Sequence, residues 1–269
     1  MDDAWIAGNP YERFMGRWSR LVAAEFLRWL NAPPHSLWLD VGCGTGALSQ
    51  IILATQQPAM ITGIDSSAAF VAHGQQVFPA GQAQFKLGQA ESIPAEDNQF
   101  EATVSGLVLN FVPEPADAVA EMIRVTRPGG QVGFYIWDYA GRMQMLRYFW
   151  DAAVAIDPGA RALDEGERFP LCQPEALTAL MAGTGLAELA VAPLEVATPF
   201  TDFADFWEPF LGKVGPAPAY VSSLPAATRD ALVQRLQATL PQDADGSIPL
   251  VARAWAVKGT VIEQAGEPA

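Results

Sequence analysis

Three glycines in alternation, Gly42, Gly44 and Gly46, follow the apolar run Leu37-Trp-Leu-Asp-Val41 and precede the apolar-periodic stretch that starts at Ala47. Glycines at this spacing let a backbone turn sharply and approach a ligand more closely than any Cβ permits. A helix that begins just after them aims its unpaired N–H groups at the same place. Asp40 stands two residues before the first glycine, and Asp65 ends the next apolar run, "MITGID". This is chemistry for holding a nucleotide-type cofactor, and two cofactor classes fit it. Gly42-x-Gly44-x-x-Ala47, with Asp65 about 20 residues on, satisfies a dinucleotide fingerprint and so admits an NAD(P)-dependent oxidoreductase. A carboxylate at Asp40 would face a pyrophosphate badly, but it suits the ammonium of an adenosyl-amino-acid ligand without phosphates.

The elements that must position these residues are legible as alternating patterns. "LWLDV", "MITGID" and "AQFKLGQA" read as strands, "FEATVSGLVLNFV" as the fourth strand and its loop, and "QVGFYIWDY" as a fifth strand. Between them, residues 46–56, the run "AAFVAHGQQVF" that Ser66 or Ser67 can cap, and "PADAVAEMIRVT" read as helices, with Arg-Pro-Gly-Gly (127–130) as a turn. Strand–helix alternation over residues 37–139 predicts an α/β domain, a parallel sheet wound on both faces. Before it, Trp18, Leu21, Val22, Phe26, Trp29 and Leu30 fall near helical spacing, and Pro33 and Pro34 end that helix. After Tyr139 come an aromatic- and Met-rich helix (142–156), an irregular stretch to Pro170, a helix ending in glycine (173–186) and a strand-like segment (187–198). Residues 200–225 are rich in aromatics, Pro and Gly and read as irregular; an amphipathic helix (226–240) and a closing strand (248–261) follow.

Composition narrows the partners. The chain has 269 residues, half of them hydrophobic, and its sixteen basic against thirty acidic residues give a net charge of −14. Nucleic-acid binding needs basic stripes, and anionic membrane surfaces attract basic segments, so neither partner is expected. Of the two cysteines, Cys43 lies inside the glycine turn, so a structural disulfide is not expected, and no metal-ligand spacing occurs. No apolar run approaches the roughly 18 residues of a membrane span. The start "MDDAWIAGNPYERF" has no basic-then-apolar export pattern, so a cytoplasmic location is expected. Nothing fixes the oligomeric state.

"LDVGCGTG", "GIDSS", "GQAESIPAEDNQFEATVSGLVLNFVPEP" and "RVTRPGGQVGFYIWD" together resemble the successive motifs of class I S-adenosylmethionine-dependent methyltransferases, nearest to the small-molecule branch with the ubiquinone/menaquinone-type enzymes. The likeness covers about residues 9–139 well and the rest loosely. It implies a three-layer α/β/α Rossmann-like fold, mostly parallel with an antiparallel last strand, plus a helical cap over the carboxyl ends of the strands. It also implies methyl transfer from S-adenosylmethionine to a small-molecule methyl acceptor, planar or apolar. By the same resemblance Asp40 and the backbone of Gly42, Cys43, Gly44 and Gly46 would hold the methionyl part, Asp65 the ribose hydroxyls, and Ser66, Gln89, Ala90 and Glu91 the adenine. Gln89 stands where an Asp is commoner. Leu109 and Asn110 would flank the methylthio region, and Arg17 in the lid-like "NPYERFMGRWSR" would grip the cofactor carboxylate.

The domain layout expected is a lid over 1–35, a cofactor core over 36–139, cap insertions at 140–172 and 201–225, core segments at 173–200 and 226–262, and a tail at 263–269. His35 and His73 both fall outside the expected site, so in-line methyl transfer without a His base is the mechanism read here. Tyr11, Asn110, Asp138 and Tyr139 are the candidates for an assisting role. The aromatics Tyr148, Phe149, Trp150, Phe203, Phe206, Trp207, Phe210 and Tyr220 either make the cap's own core or line a pocket for a flat acceptor. The alternatives to a methyltransferase are the oxidoreductase above and a non-enzymatic module that only binds S-adenosylmethionine.

Overall fold

The computed structural model describes residues 15–212 and 215–263. Seven strands, β1 (Leu37–Val41), β2 (Met60–Asp65), β3 (Ala83–Leu87), β4 (Phe100–Gly106), β5 (Thr126–Trp137), β6 (Ala187–Ala197) and β7 (Val251–Thr260), form one sheet in the order β3-β2-β1-β4-β5-β7-β6. The pairs β2–β3, β1–β2, β1–β4 and β4–β5 are parallel. At β7 the direction reverses: Val261 exchanges hydrogen bonds with Gly129 and Gly130, and Asp138 N–H donates to Arg253 O, so the β5 number rises as the β7 number falls. The expected mostly parallel sheet with an antiparallel last strand is what the chain forms. Helices α1 (Arg17–Leu30), α2 (Ala47–Thr55), α3 (Ala68–Val77), α4 (Pro115–Val125), α5 (Gln144–Ile156), α6 (Glu165–Arg168), α7 (Pro174–Met181), α8 (Phe203–Trp207), α9 (Pro216–Ser223) and α10 (Ala226–Thr239) fill the connections.

The chain divides into two compact units. An α/β unit comprises Ala23–Ile136, Pro174–Pro193 and the segment from Trp255; the other comprises the segment up to Val22, Trp137–Gln173 and Leu194–Ala254. In the α/β unit the central strands are buried on both faces, hence their unbroken apolar sequences. Trp38, Leu39, Val41, Val104, Phe134 and Ile136 are all inaccessible to solvent. Leu39, Val41, Ile64, Ile93, Met122 and Val125 form one cluster, and Cys43, Val71, Phe78 and Phe85 another. Strand β1 lies between β2 and β4, so the chain leaves in opposite directions on its two sides, and the strand order reverses past the carboxyl ends of β1 and β4, the place where sheets of this type bind ligands.

Three local expectations need correcting. Arg-Pro-Gly-Gly is not a turn between elements but part of β5. Thr126 pairs with Phe100 and Gln131 with Ala102, so 127–130 detour out of the β4 ladder, with Gly129 in the left-handed region (φ 78°). Ser67 occupies the N-cap of α3, yet its side chain makes no capping hydrogen bond. Residues 200–225 are largely helical (α8, a 3-10 turn Glu208–Leu211, and α9), because Asp202 caps α8 and Pro209 and Pro216 sit in first turns, where a missing N–H costs nothing.

In the second unit five of the eight aromatics make that unit's own core, while Tyr148, Phe203 and Trp207 are half-buried. Phe149 stacks on Phe210 (4.5 Å between centroids, 7°) and meets Trp150 edge-on, while Trp150 also touches Tyr220 and Phe210 touches Phe206. These five residues are buried. Beside them the Glu165 carboxylate, only 4% exposed, accepts the Trp150 indole N–H. Burial pushes the Glu165 carboxyl up to about 7, with the indole hydrogen bond opposing that shift. A carboxyl whose folded pKa is raised binds its proton more tightly in the native state, so stability falls as pH climbs from the ordinary carboxylate range through about 7. The shift corresponds to about 3 kcal/mol. Glu165→Gln keeps an acceptor for Trp150 and removes that slope. Denaturant unfolding of the second unit, followed by tryptophan fluorescence at a series of pH values, should show the variant gaining stability over the parent at pH 8 and nothing at pH about 4.

Candidate functional site

At the end of β1 the chain makes the turn Gly42-Cys43-Gly44-Thr45-Gly46 into α2. Its shape is set by β2. Gly42 and Cys43 both donate their N–H to Ile64 O (2.9 Å each), Gly44 N–H donates to Asp65 Oδ2 (2.9 Å), and Ser67 N–H donates to Asp65 Oδ1 (2.8 Å). The Asp65 carboxylate thus bridges the glycine turn and the start of α3. Each of its oxygens retains a lone pair for a further donor.

The flanking glycines are held by packing: a Cβ at Gly42 would lie 2.6 Å from Val108 Cγ1, and one at Gly46 2.6 Å from the Phe78 ring. Gly44 differs. Its backbone is left-handed (φ 53°), and a Cβ there would meet nothing within 4 Å. The middle of the turn therefore faces open space with bare backbone, beside the Asp65 carboxylate.

Asp40 is buried, and its Oδ2 accepts the Ser49 hydroxyl of α2 at 2.7 Å. Desolvation pushes its carboxyl up to about 7, with the Ser49 side-chain and backbone hydrogen bonds opposing and the Asp65 charge adding to the rise. The Cys43 thiol is buried and pushed up as well, chiefly by desolvation and then by Asp40 and Asp65, which leaves it an inert packing group. Cys43 and Cys172 are both free.

After β3, Gly88 N–H donates to Asp65 O (3.0 Å), and Gln89 and Ser92 form an isolated antiparallel bridge that turns the chain at Ala90 and Glu91. Gln89 and Ser66 are exposed, and Ala90 and Glu91 are half-buried. After β4, Leu107 is left-handed (φ 63°), rare for a bulky residue, with its N–H on Tyr135 O. A 3-10 turn, Leu109–Phe111, follows: Leu109 is buried, and Asn110 Nδ2 is buried without a hydrogen-bond partner. Sequence reading missed the strain at Leu107, since leucine carries no signal for a left-handed backbone. It also missed Ser49, whose only signal is a lone hydroxyl three residues past Gly46 in an apolar helix.

So Asp40, Gly42, Cys43, Gly44, Gly46, Asp65, Ser66, Gln89, Ala90, Glu91, Leu109 and Asn110 all belong to the α/β unit, on the segments after β1, β2, β3 and β4. Arg17, Asp138 and Tyr139 belong to the other unit. There Arg17 donates to Asp205 Oδ1 (3.1 Å), and its guanidinium lies over the Trp18 and Phe200 rings at 4.2 and 4.6 Å. The Asp138 carboxylate is taken up by Gly141 N–H, Arg142 N–H and the Arg253 guanidinium. Tyr139 is buried against Phe169. Tyr11 lies outside the described residues.

Both histidines are exposed, His35 just before β1 and His73 within α3. The second unit also has an open cavity of about 610 Å³ between α5, α6 and the turn at Ala140 and Gly141. Its walls carry Arg147, Asp164, Arg161 and Glu167, ion-paired among themselves, rather than aromatics. Among the described residues no cluster of side chains suits a metal ion, and no helix is long and apolar enough to cross a membrane.

A family profile described as a methyltransferase domain matches residues 39–134. Demethylmenaquinone methyltransferase of Renibacterium salmoninarum is 34% identical over 116 residues, 43% of this chain and 46% of that protein. The ubiquinone/menaquinone biosynthesis C-methyltransferase UbiE of Desulfotalea psychrophila is 30% identical over 115 residues, 43% of this chain and 45% of that protein. The matches thus span less than half the length of these relatives. Among solved structures, a protein described as a methyltransferase from an antibiotic biosynthesis pathway of Anabaena variabilis superposes with a TM-score of 0.59 over 90% of this chain and 96% of its own, at 21% identity. With the strand order and the reversed β7, these matches mark residues 39–134 as the part of the chain that is similar to a methyltransferase domain, within a sheet that has the fold of solved structures described as methyltransferases.

Proposed function

We propose that the chain transfers a methyl group from S-adenosylmethionine to a small, planar or apolar acceptor. The observation that carries this reading is the open face at Gly44, where bare backbone lies next to a carboxylate that already holds the turn. Bound there, S-adenosylmethionine supplies an electrophilic methyl carbon on a sulfonium centre. In this reading the backbone of Gly42, Cys43, Gly44 and Gly46 cradles the methionyl part, and Asp65 accepts from the ribose hydroxyls with its spare lone pairs. Ser66, Gln89, Ala90 and Glu91 border the adenine, and the backbone around Leu109 with the unpartnered Asn110 amide borders the methylthio region.

Asp40 is the buried negative group behind the turn. An ammonium brought near it favours its ionised form. Methyl transfer is an in-line displacement, and holding donor and acceptor in line supplies much of the acceleration. The two histidines are exposed and lie outside the turn and its neighbouring loops, which supports a mechanism without a His base. Asn110 is the assisting candidate within the α/β unit, and Asp138 and Tyr139 are those outside it; Tyr11 lies outside the described residues. The acceptor class draws on relatives whose names attach them to menaquinone and ubiquinone synthesis.

Calorimetric titration of the full chain should give micromolar binding of S-adenosylhomocysteine and none of NADH; the reverse pattern sinks the reading in favour of an oxidoreductase. Binding without methyl transfer to any of a broad panel of quinone, phenol and amine acceptors would leave a binding module instead. Asp65→Ala should weaken S-adenosylhomocysteine about 100-fold, from two charge-assisted hydrogen bonds at roughly 1.5 kcal/mol each. An unchanged affinity removes Asp65 from the site.

The raised Asp40 carboxyl makes binding pH-dependent. Below about 7 it must lose its proton before it can pair with the ligand ammonium, so affinity should climb between pH about 6 and about 8 and then level off. Asp40→Asn should flatten that profile, and isothermal titration in buffers of different ionisation heat reads the released proton directly.

A further inference from the structure

The loop that leaves β3 is fastened from outside the glycine turn. Arg124, in the last turn of α4, divides its guanidinium between this loop and Glu121 of its own helix. Nε donates to Glu121 Oε1 (2.6 Å), and Nη2 donates to Glu121 Oε2 (2.8 Å) and Ile93 O (3.1 Å). Nη1 donates to Asp97 Oδ1 (2.6 Å) and Ala95 O (3.0 Å). Glu121 closes the circuit by accepting Ile93 N–H at 2.8 Å. Ile93 is thus held at both its backbone N–H and its carbonyl, with its side chain buried in the core cluster against which Ala90 and Ala95 also pack. The Arg124 guanidinium in turn holds the Glu121 carboxyl below its ordinary range, so the pair stays charged.

The strap 93–97 is pinned at four points, and the stretch that would border the adenine, Gln89 to Glu91, hangs from it with the Gln89–Ser92 bridge and the packing of Ala90. We propose that Arg124 and Glu121 are positioning residues for the cofactor: their clamp on the strap holds Gln89–Glu91 in the shape that receives the adenine. This rests on the reading of the site under Proposed function. Only a planar fork meets carboxylate and carbonyls at these angles together, so lysine cannot replace Arg124 here.

The test uses the full chain with Arg124→Met, Arg124→Lys and Glu121→Gln, titrated with S-adenosylhomocysteine and with adenosine, and amide hydrogen exchange over 88–97. Arg124→Met should weaken both ligands by the same factor, about tenfold, because the loss falls on the adenine end that they share. Lysine should restore little of it. Exchange over 88–97 should quicken while β1, β2 and β4 stay protected. Unchanged affinity and unchanged protection overturn the proposal. So does a loss much larger for S-adenosylhomocysteine than for adenosine, which marks general loosening of the site. If the parent chain binds neither ligand, the functional reading falls first, and the exchange data still report whether the clamp orders the loop. Should Arg124→Met fail to fold, Glu121→Gln, which removes one charge and keeps the side chain, carries the same comparison at about threefold.

Discussion

One carboxylate organises the carboxyl end of the sheet. Asp65 accepts the Gly44 N–H on one oxygen and the Ser67 N–H on the other, while the preceding carbonyl, Ile64 O, takes both Gly42 and Cys43. The turn after β1 is therefore folded against β2 and not merely linked to α2. Its left-handed middle residue is held where solvent would otherwise compete for the same N–H groups. The turn itself presents bare backbone on a fixed template, with the Asp65 carboxylate beside it. The Gly88 N–H on Asp65 O extends the same control to the loop after β3.

The sheet was legible because its strands are buried on both faces and its helices are short and apolar-periodic, so pattern and burial coincide. The glycine turn was legible because the bare backbone that faces open space is written in the residue type itself. The rest of the site was not, for identifiable reasons. Leu107 adopts a backbone that its side chain disfavours, so only the surrounding structure dictates it. The Arg124 clamp reaches residues 29 and 31 away through their backbone carbonyls, which leave no mark in the sequence. Arg-Pro-Gly-Gly carries turn residues and does bend the chain, but within a strand. The segment 200–225 hid its helices because they are one or two turns long and held by aromatic packing, whereas periodicity needs longer runs to show.

Two buried acids, Asp40 and Glu165, lie one in each unit, and in both desolvation outweighs the hydrogen bonds that favour the charge. Their partners differ in kind. Glu165 is answered by one indole N–H in an aromatic core and reads as a structural compromise of that core. Asp40 is answered by a serine on the very helix whose start forms the turn, close enough to Asp65 for their charges to interact. The same physical cost has different standing in the two places: it burdens a core in one and keeps a negative charge in reserve beside an open cradle in the other.

The detour of β5 at Arg127 to Gly130 separates the β4–β5 ladder into two stretches, one pair at Phe100–Thr126 and a longer run from Ala102–Gln131 to Gly106–Tyr135. In an uninterrupted ladder, one inserted residue would exchange inward and outward faces for everything downstream. Here the detour lets Gln131 to Tyr135 keep their register with Ala102 to Gly106, while Gly129 and Gly130 stay hydrogen-bonded to Val261 on the other side. The same four residues thus release one neighbour and hold another, so that added length at this point would fall on the seam with the closing strand and not on the ladder with β4.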